Sequence, residues 1–399
     1  MSRVFVKQAP RLVRQHLPLV QTLSASAVVD ALEDAANLRH RDSYVEEFIL
    51  RCESRALALL PDLRLSGIVR SLFALKRANV RSGTFADEVA RFLLEECATG
   101  KLYDGFLDCC TANDLLLLYK AFAVVGYFNV RLYTLCMGLL ATQTPHMIPA
   151  DCCVFFQSHV KYVEALKSGG FHNSDHANTP EMILCPSLAT EITLRFLQQD
   201  DATPEDLTVF AEWLVRMGDY YGISDELSGR VAALHRALSP KAVMFSVDHI
   251  HRLVQSTCKI KAHMEPLHLP SSLLFIQSLL HEAERRSDIH TYENALATLH
   301  AVEDMATLPF ELVSGLLYTV VNNVGPGDAE RVRGILRKRI QGSGTDEVEF
   351  RSVPMEYKID TCPPAVVAVK VCEPVCGIKI LQLREMLERL DISHRISAT

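Results

Sequence analysis

Apolar residues recur at helical spacing along most of this chain, and the pattern itself repeats. Residues 67–94 and 114–140 hold two copies of one unit: an apolar-periodic stretch, a short turn, and a second stretch ending in two large apolar residues. Shifted by 47 positions, Leu75 falls on Phe122, Ala78 on Val125, Asn79 on Gly126, Val89 on Cys136 and Phe92-Leu93 on Leu139-Leu140. A further shift of 92 puts Leu214 on Phe122 and Gly218 on Gly126, so a third copy starts at Asp206. Side chains three and four residues apart share one face of a helix. Asn or Gly at the shared turn accepts the left-handed backbone on which a helix stops. A period of about 46 residues is that of stacked helix pairs, which bury their apolar stripes only against one another.

Local signals extend the reading. SAVVDALEDAANL, from Ser26, is a helix; Asp42-Ser43 open a second, with Glu46 at a capping-box position, running through Phe48, Ile49, Cys52, Leu57 and Leu60 to a stop at Pro61. Pro145 and Pro149 read as a break in the array, followed by a helix over 152–166 and a loop, SGGFHNSDHANTP, over 168–180. Thr203-Pro204 supply an N-cap and a first-turn proline. Further helices are expected over 247–258, 271–286, 291–304, 309–322 and 328–340, with Pro270 and Pro309 near helix starts. Beyond Gly342-Ser343-Gly344 the period changes to two, which predicts strands over 347–359 and 365–371 before a last helix over 380–390. The expected fold is all-α: an α-solenoid of stacked helix pairs over 26–342 with a small C-terminal α/β appendage over 343–399.

The composition agrees with this architecture. Hydrophobic residues make up 49% of the 399 and charged residues 22%, enough for extensive burial. No apolar run reaches the ~18 residues of a membrane span. The twelve cysteines are scattered, several inside apolar helical stretches, and read as reduced thiols of an intracellular protein. Residues 1–25 contain no acid but carry Arg3, Lys7, Arg11 and Arg14, the make-up of a mitochondrial targeting segment or of a plain basic arm.

Net charge is −7, which argues against a generally basic nucleic-acid coat. The charge is uneven, however. Arg70, Lys76, Arg77 and Arg81 gather in the first clear repeat, and Arg331, Arg333, Arg337, Lys338 and Arg339 crowd one expected helix. Cations at helical spacing can line a groove that follows an RNA backbone; the competing reading is a solvated helix face.

Candidate chemistry is sparse. His172, Asp175 and His176 lie in the 168–180 loop, where a divalent metal or a plain solvated loop would explain them. Cys362, Cys372 and Cys376 lack a second C-x2-C knuckle, and His394 is the only downstream ligand candidate, so buried thiols are expected. His249, His251, His263 and His268 read as ordinary surface or half-buried histidines, with His249 and His251 on different helix faces. Gly325-Pro326-Gly327 and Gly342-Ser343-Gly344-Thr345 lack the lysine of a phosphate loop and read as helix stops. No catalytic set is expected, and no cofactor.

Leu72-Phe73-Ala74-Leu75 and Tyr119-Lys120-Ala121-Phe122, with the turns that follow them, resemble the helical-repeat proteins of organelle RNA metabolism, the octotricopeptide and FAST-kinase-like class. The resemblance covers residues 26–340. It implies a component of a mitochondrial ribonucleoprotein, such as a ribosome, its assembly intermediate or an RNA-editing complex, with partner proteins and RNA as contacts. The C-terminal segment lacks the acidic cluster of the nuclease-like domain that often closes such chains, so no nuclease activity is implied. A protein scaffold without RNA contact is the alternative, and a metal-dependent enzyme ranks last.

Overall fold

The computed structural model of the 399-residue chain describes residues 17–38, 42–79, 83–98, 111–168, 186–286, 290–303, 305, 308, 312–323, 367–371 and 394–398. The described fold is all-α apart from one strand pair. It comprises two compact units, Met1–Ala202 and Thr203–Thr399.

The first unit contains α1 (Ala25–Ala36), α2 (Ser43–Ala58), α3 (Leu65–Arg77), α4 (Gly83–Ala98), α5 (Ala112–Val125), α6 (Val130–Gln143), α7 (Pro149–Lys167) and α8 (Pro186–Leu197). Helices alternate between two layers. In the first layer α1 packs on α3, α3 on α5 and α5 on α7; in the second, α2 packs on α4 and α4 on α6. Leu32, Ile68, Leu72, Leu75, Leu116 and Phe122 are fully buried in these contacts. Each such side chain contributes about 2 kcal/mol by leaving water.

The second unit repeats the scheme with α9 (Pro204–Tyr221), α10 (Asp225–Leu238), α11 (Val247–Ile260), α12 (Leu269–Arg285), α13 (Tyr292–Ala301) and α14 (Ser314–Asn323). Here α9 packs on α11 and α11 on α13, while α10 packs on α12 and α12 on α14. Trp213, Phe210, Phe245 and Phe275 fill its core. Two short strands, β1 (Val367–Val371) and β2 (His394–Ala398), pair in parallel with Val367 opposite His394.

The turns fall where the period puts them in the first two copies. Asn79, just past α3, has φ 52°, and Gly126, just past α5, has φ 81°, both left-handed. The third copy departs from the pattern. α9 runs one turn further, so the positive-φ residue is Gly222 (φ 76°, ψ 166°) and Gly218 lies inside the helix. Its missing side chain admits the His263 ring, whose carbons would lie 2.6 Å from a Cβ at that position.

Two other expectations change. Pro145 and Pro149 do not interrupt the pairing: Pro145 sits in a 3-10 turn (Thr144–His146), and Pro149 is the first residue of α7. A first-turn proline has no hydrogen-bonding N–H to lose, so it opens a helix rather than breaking one. α7 and the unpredicted α8 therefore continue the series of pairs. Glu46 takes no part in a capping box either, because Asp42 is the N-cap and accepts from the Val45 amide at 3.0 Å. The Thr203-Pro204 start holds, with Asp206 completing a reciprocal cap.

The expected helix over 309–322 begins at Ser314, and the strand expected over 365–371 is β1. β2 was not anticipated. The expected elements over 328–340, 347–359 and 380–390 lie outside the described residues.

Candidate functional site

The cations of the first repeat sit on α3, and the structure gives them different surroundings. Arg70 donates to Asp30 at 2.7 Å and Glu33 at 2.6 Å, both on α1. These carboxylates raise the guanidinium pKa further above its ordinary value, so its charge is matched within the molecule. Arg77 donates to the Asn37 side chain at 2.6 Å, at the end of α1. Lys76 is exposed on the last turn of α3. Arg81, Arg331, Arg333, Arg337, Lys338 and Arg339 lie outside the described residues, as do His172, Asp175, His176, Cys362, Cys372 and Cys376.

Arg70 has a counterpart in the second unit. Arg252, the sixth residue of α11 as Arg70 is of α3, donates to Glu212 at 2.8 Å and Glu205 at 3.2 Å on α9. Glu212 and Glu33 each occupy the ninth position of their helices. One register of arginine and glutamate thus ties neighbouring first-layer helices in both units. Such a position serves the stacking of the helices wherever it occurs.

The four histidines singled out are all engaged in similar ties. His249 accepts from the Ser246 amide at 3.4 Å and pairs through Nε2 with Glu205 at 2.9 Å, so it caps α11 and reaches α9 together. His263 pairs with Asp219 and His268 with Asp225, each at 3.2 Å. His251 corrects the expectation of a surface or half-buried ring: it is 1% exposed, 2.6 Å from the Thr298 hydroxyl on α13 and 2.9 Å from His290. Residue 251 shares the buried stripe of α11 with Val254, one turn on, which overrides the ordinary preference of histidine for the surface.

Two further buried histidines escaped the sequence reading. His159 on α7 shares a hydrogen bond with the Tyr119 hydroxyl on α5 at 3.0 Å, and His235 on α10 shares one with Ser272 on α12 at 3.0 Å. Burial lowers the pKa to about 3 for His159 and to about 4 for His235 and His251, so all three rings are neutral near neutral pH. Around His159 the Tyr119 and Tyr162 rings stack at 4.4 Å, and Phe155 stacks on His159 at 4.9 Å. Burial also pushes the Cys52 and Cys136 thiols up to about 12, so they stay protonated and act as small hydrophobes.

Arginines supply a second recurring contact, inside a pair. Arg55 near the end of α2 donates twice to the Leu23 carbonyl at 3.1 and 3.2 Å, and Arg195 near the end of α8 donates to Met147 at 3.2 Å. Arg286, just past α12, donates to Phe245 at 2.8 Å. Each carbonyl belongs to the residue before the N-cap of the partner helix: Ser24 of α1, Ile148 of α7 and Ser246 of α11. The sequence carries a trace of this arrangement. Met147 and Phe245 precede their caps, and Cys152 and Ile250 follow five residues later, all buried, at the positions of a hydrophobic staple.

The ties between same-layer helices join residues 30 to 47 apart in sequence, as Glu284 with Ser314 and His251 with Thr298 illustrate. Among the described residues, no three His, Cys, Asp or Glu side chains converge as metal ligands, and no helix is long and apolar enough to cross a membrane. Many of the polar groups that do meet hold one helix to another. No protein-family model matches the chain, and no curated protein does.

Proposed function

We propose that this chain is a non-catalytic α-solenoid that acts as a scaffold component of a large ribonucleoprotein in the mitochondrial matrix. Its principal contacts are other proteins of that complex, and RNA phosphate is met by Lys76, Arg77, Arg81 and the run Arg331, Arg333, Arg337, Lys338 and Arg339. The observation that carries this reading is the set of polar ties one helix pair apart, present in both units. They support a row of stacked pairs, an architecture whose working part is extended surface. Residues 343–399 form a small α/β appendage in this reading, which the β1–β2 pair supports. The acid-free stretch before Asp30 supports the mitochondrial address.

Arg70 is the weakest of the phosphate contacts first considered, because two carboxylates already hold it. That pairing, with the net charge of −7, favours a second reading: a protein scaffold without RNA contact. Salt titration of RNA affinity decides between them. Phosphate contact predicts an affinity that falls steeply with salt, with a slope that drops by about one for each cation removed. Reversing the charge at Arg331, Arg333 and Arg337 then weakens binding. Unchanged affinity after that reversal rejects the RNA contact and leaves the scaffold. Fractionation that finds the protein outside mitochondria rejects the address.

A further inference from the structure

His251 and His290 form a hydrogen-bonded chain whose direction is fixed by its last member. His290 Nε2 lies 2.8 Å from the Ala283 carbonyl on α12, and a carbonyl only accepts, so this nitrogen carries the proton. His290 Nδ1 is then the acceptor in a neutral ring and takes the N–H of His251 Nε2 across 2.9 Å. That leaves His251 Nδ1 to accept from the Thr298 hydroxyl on α13 at 2.6 Å. Three helices are thereby joined through two neutral imidazoles in one tautomeric state.

The chain tolerates one extra proton and not two. A first can sit on His251 Nδ1 if Thr298 turns its hydroxyl from donor to acceptor. A second must sit on His290 Nδ1, where it faces the His251 N–H across the same 2.9 Å. The nearby charges do not offer relief. Asp248, on α11 itself, favours the charged ring, but burial and His290 outweigh it, and its carboxylate accepts from Asn294 of α13 at 3.0 Å. On α12, Glu282 is held by Arg285 and Arg286, and Glu284 by Ser314 and the Gly315 amide. On α9, Glu205 and Glu212 are engaged by His249 and Arg252, and on α13 His300 pairs with Glu303.

We propose that the His251–His290 pair is an acid-released latch, which holds α13 against α11 and α12 while this chain of hydrogen bonds is intact and frees it when added protons break the chain. Release is local, because the ring that faces Thr298 and the ring that faces Ala283 belong to one contact. It adds a conformational response that the scaffold reading does not require.

Amide hydrogen exchange of the full chain tests the latch, with α3 as internal control. Between about pH 7.5 and about pH 5, after correction for intrinsic rates, α13 should lose at least about tenfold in protection relative to α3, since His251, freed from its neutral site, contributes up to tenfold per pH unit. His251→Phe should remove that excess while α13 stays protected at the higher pH. If this variant does not fold, nitrogen-15 shifts of the wild-type imidazoles decide. A proton on Nε2 at both residues near neutral pH, with His251 charging as α13 opens, supports the latch. Equal losses in α13 and α3, an unchanged pH response in a folded His251→Phe, or rings that charge while α13 stays protected each overturn it.

Discussion

The two units share a helix-pair scheme and differ in what joins consecutive pairs. In the first, the ties centre on an aromatic group: Tyr119, Tyr162 and Phe155 stacked around His159, with Arg70 as the outer ion pair. In the second, the ties are mostly ionisable: His249, His263 and His268 on carboxylates, Arg252 on Glu212 and on the Glu205 that His249 also holds, and His235 and His251 buried on hydroxyls. The spacing of the pairs is therefore independent of the chemistry that joins them. What changes is the response to conditions: packed rings are indifferent to pH and salt, whereas imidazoles and ion pairs are not.

Trp213, the only tryptophan, is buried in the second unit, so its fluorescence follows that unit alone, while circular dichroism follows both. The largest effect should come from Tyr119→Ala. Loss of a fully buried ring, with His159 Nδ1 left without the hydroxyl, costs the first unit about 4 kcal/mol. The dichroism transition should gain an early phase while the Trp213 transition stays in place. A shift of both would mean that the units do not differ in the way described.

Acid should reverse the ranking. A buried imidazole with a lowered pKa stabilises the fold fully above its ordinary value near 6.5, and the contribution falls as the pH drops toward its folded value. For His235 and His251 that window runs from about 6.5 down to about 4, up to about 3 kcal/mol for each. The first unit has one such ring, His159, with its window reaching about 3. Urea titrations at falling pH should therefore show the Trp213 transition moving first. Equal movement of the two phases would show that both units respond to acid alike.

Intermediate in size are the arginines that hold a helix start. Arg286→Met should destabilise the second unit by about 2 kcal/mol, and Arg55→Met the first by a similar amount, as charged hydrogen bonds to carbonyls are lost. Smallest are the equivalent surface ties. Arg70→Met and Arg252→Met should each cost under about 1 kcal/mol, and the difference should vanish in molar salt. A large, salt-independent loss at either would show a role beyond stacking.

The helices were largely legible because burial in pairs imposes a period on the apolar residues. A shift of 47 found two left-handed turn residues, Asn79 and Gly126, before any geometry was known. It failed at Gly218 because α9 has 18 residues where α5 has 14, and because a helical glycine there serves the close approach of His263. The prolines misled for a related reason: a proline at a helix start and one that breaks a helix look alike until the cap is seen. The ties were not legible. Their two halves lie some forty residues apart, and nothing local in His251 or Thr298 names the other. The placement of polar residues on buried stripes was the one available sign, at His159, His235 and His251 alike.

In a row of stacked pairs, the second residues of the first-layer helices form a ruler. Ser26, Ser66, Asn113 and Ala150 hold that position in α1, α3, α5 and α7, and all are exposed. Spin labels on Ser26→Cys paired in turn with Ser66→Cys, Asn113→Cys and Ala150→Cys should give distances that grow by about 10 Å per helix, the usual spacing of packed helices. A label on residue 150 as near to residue 26 as the label on residue 66 would contradict the row.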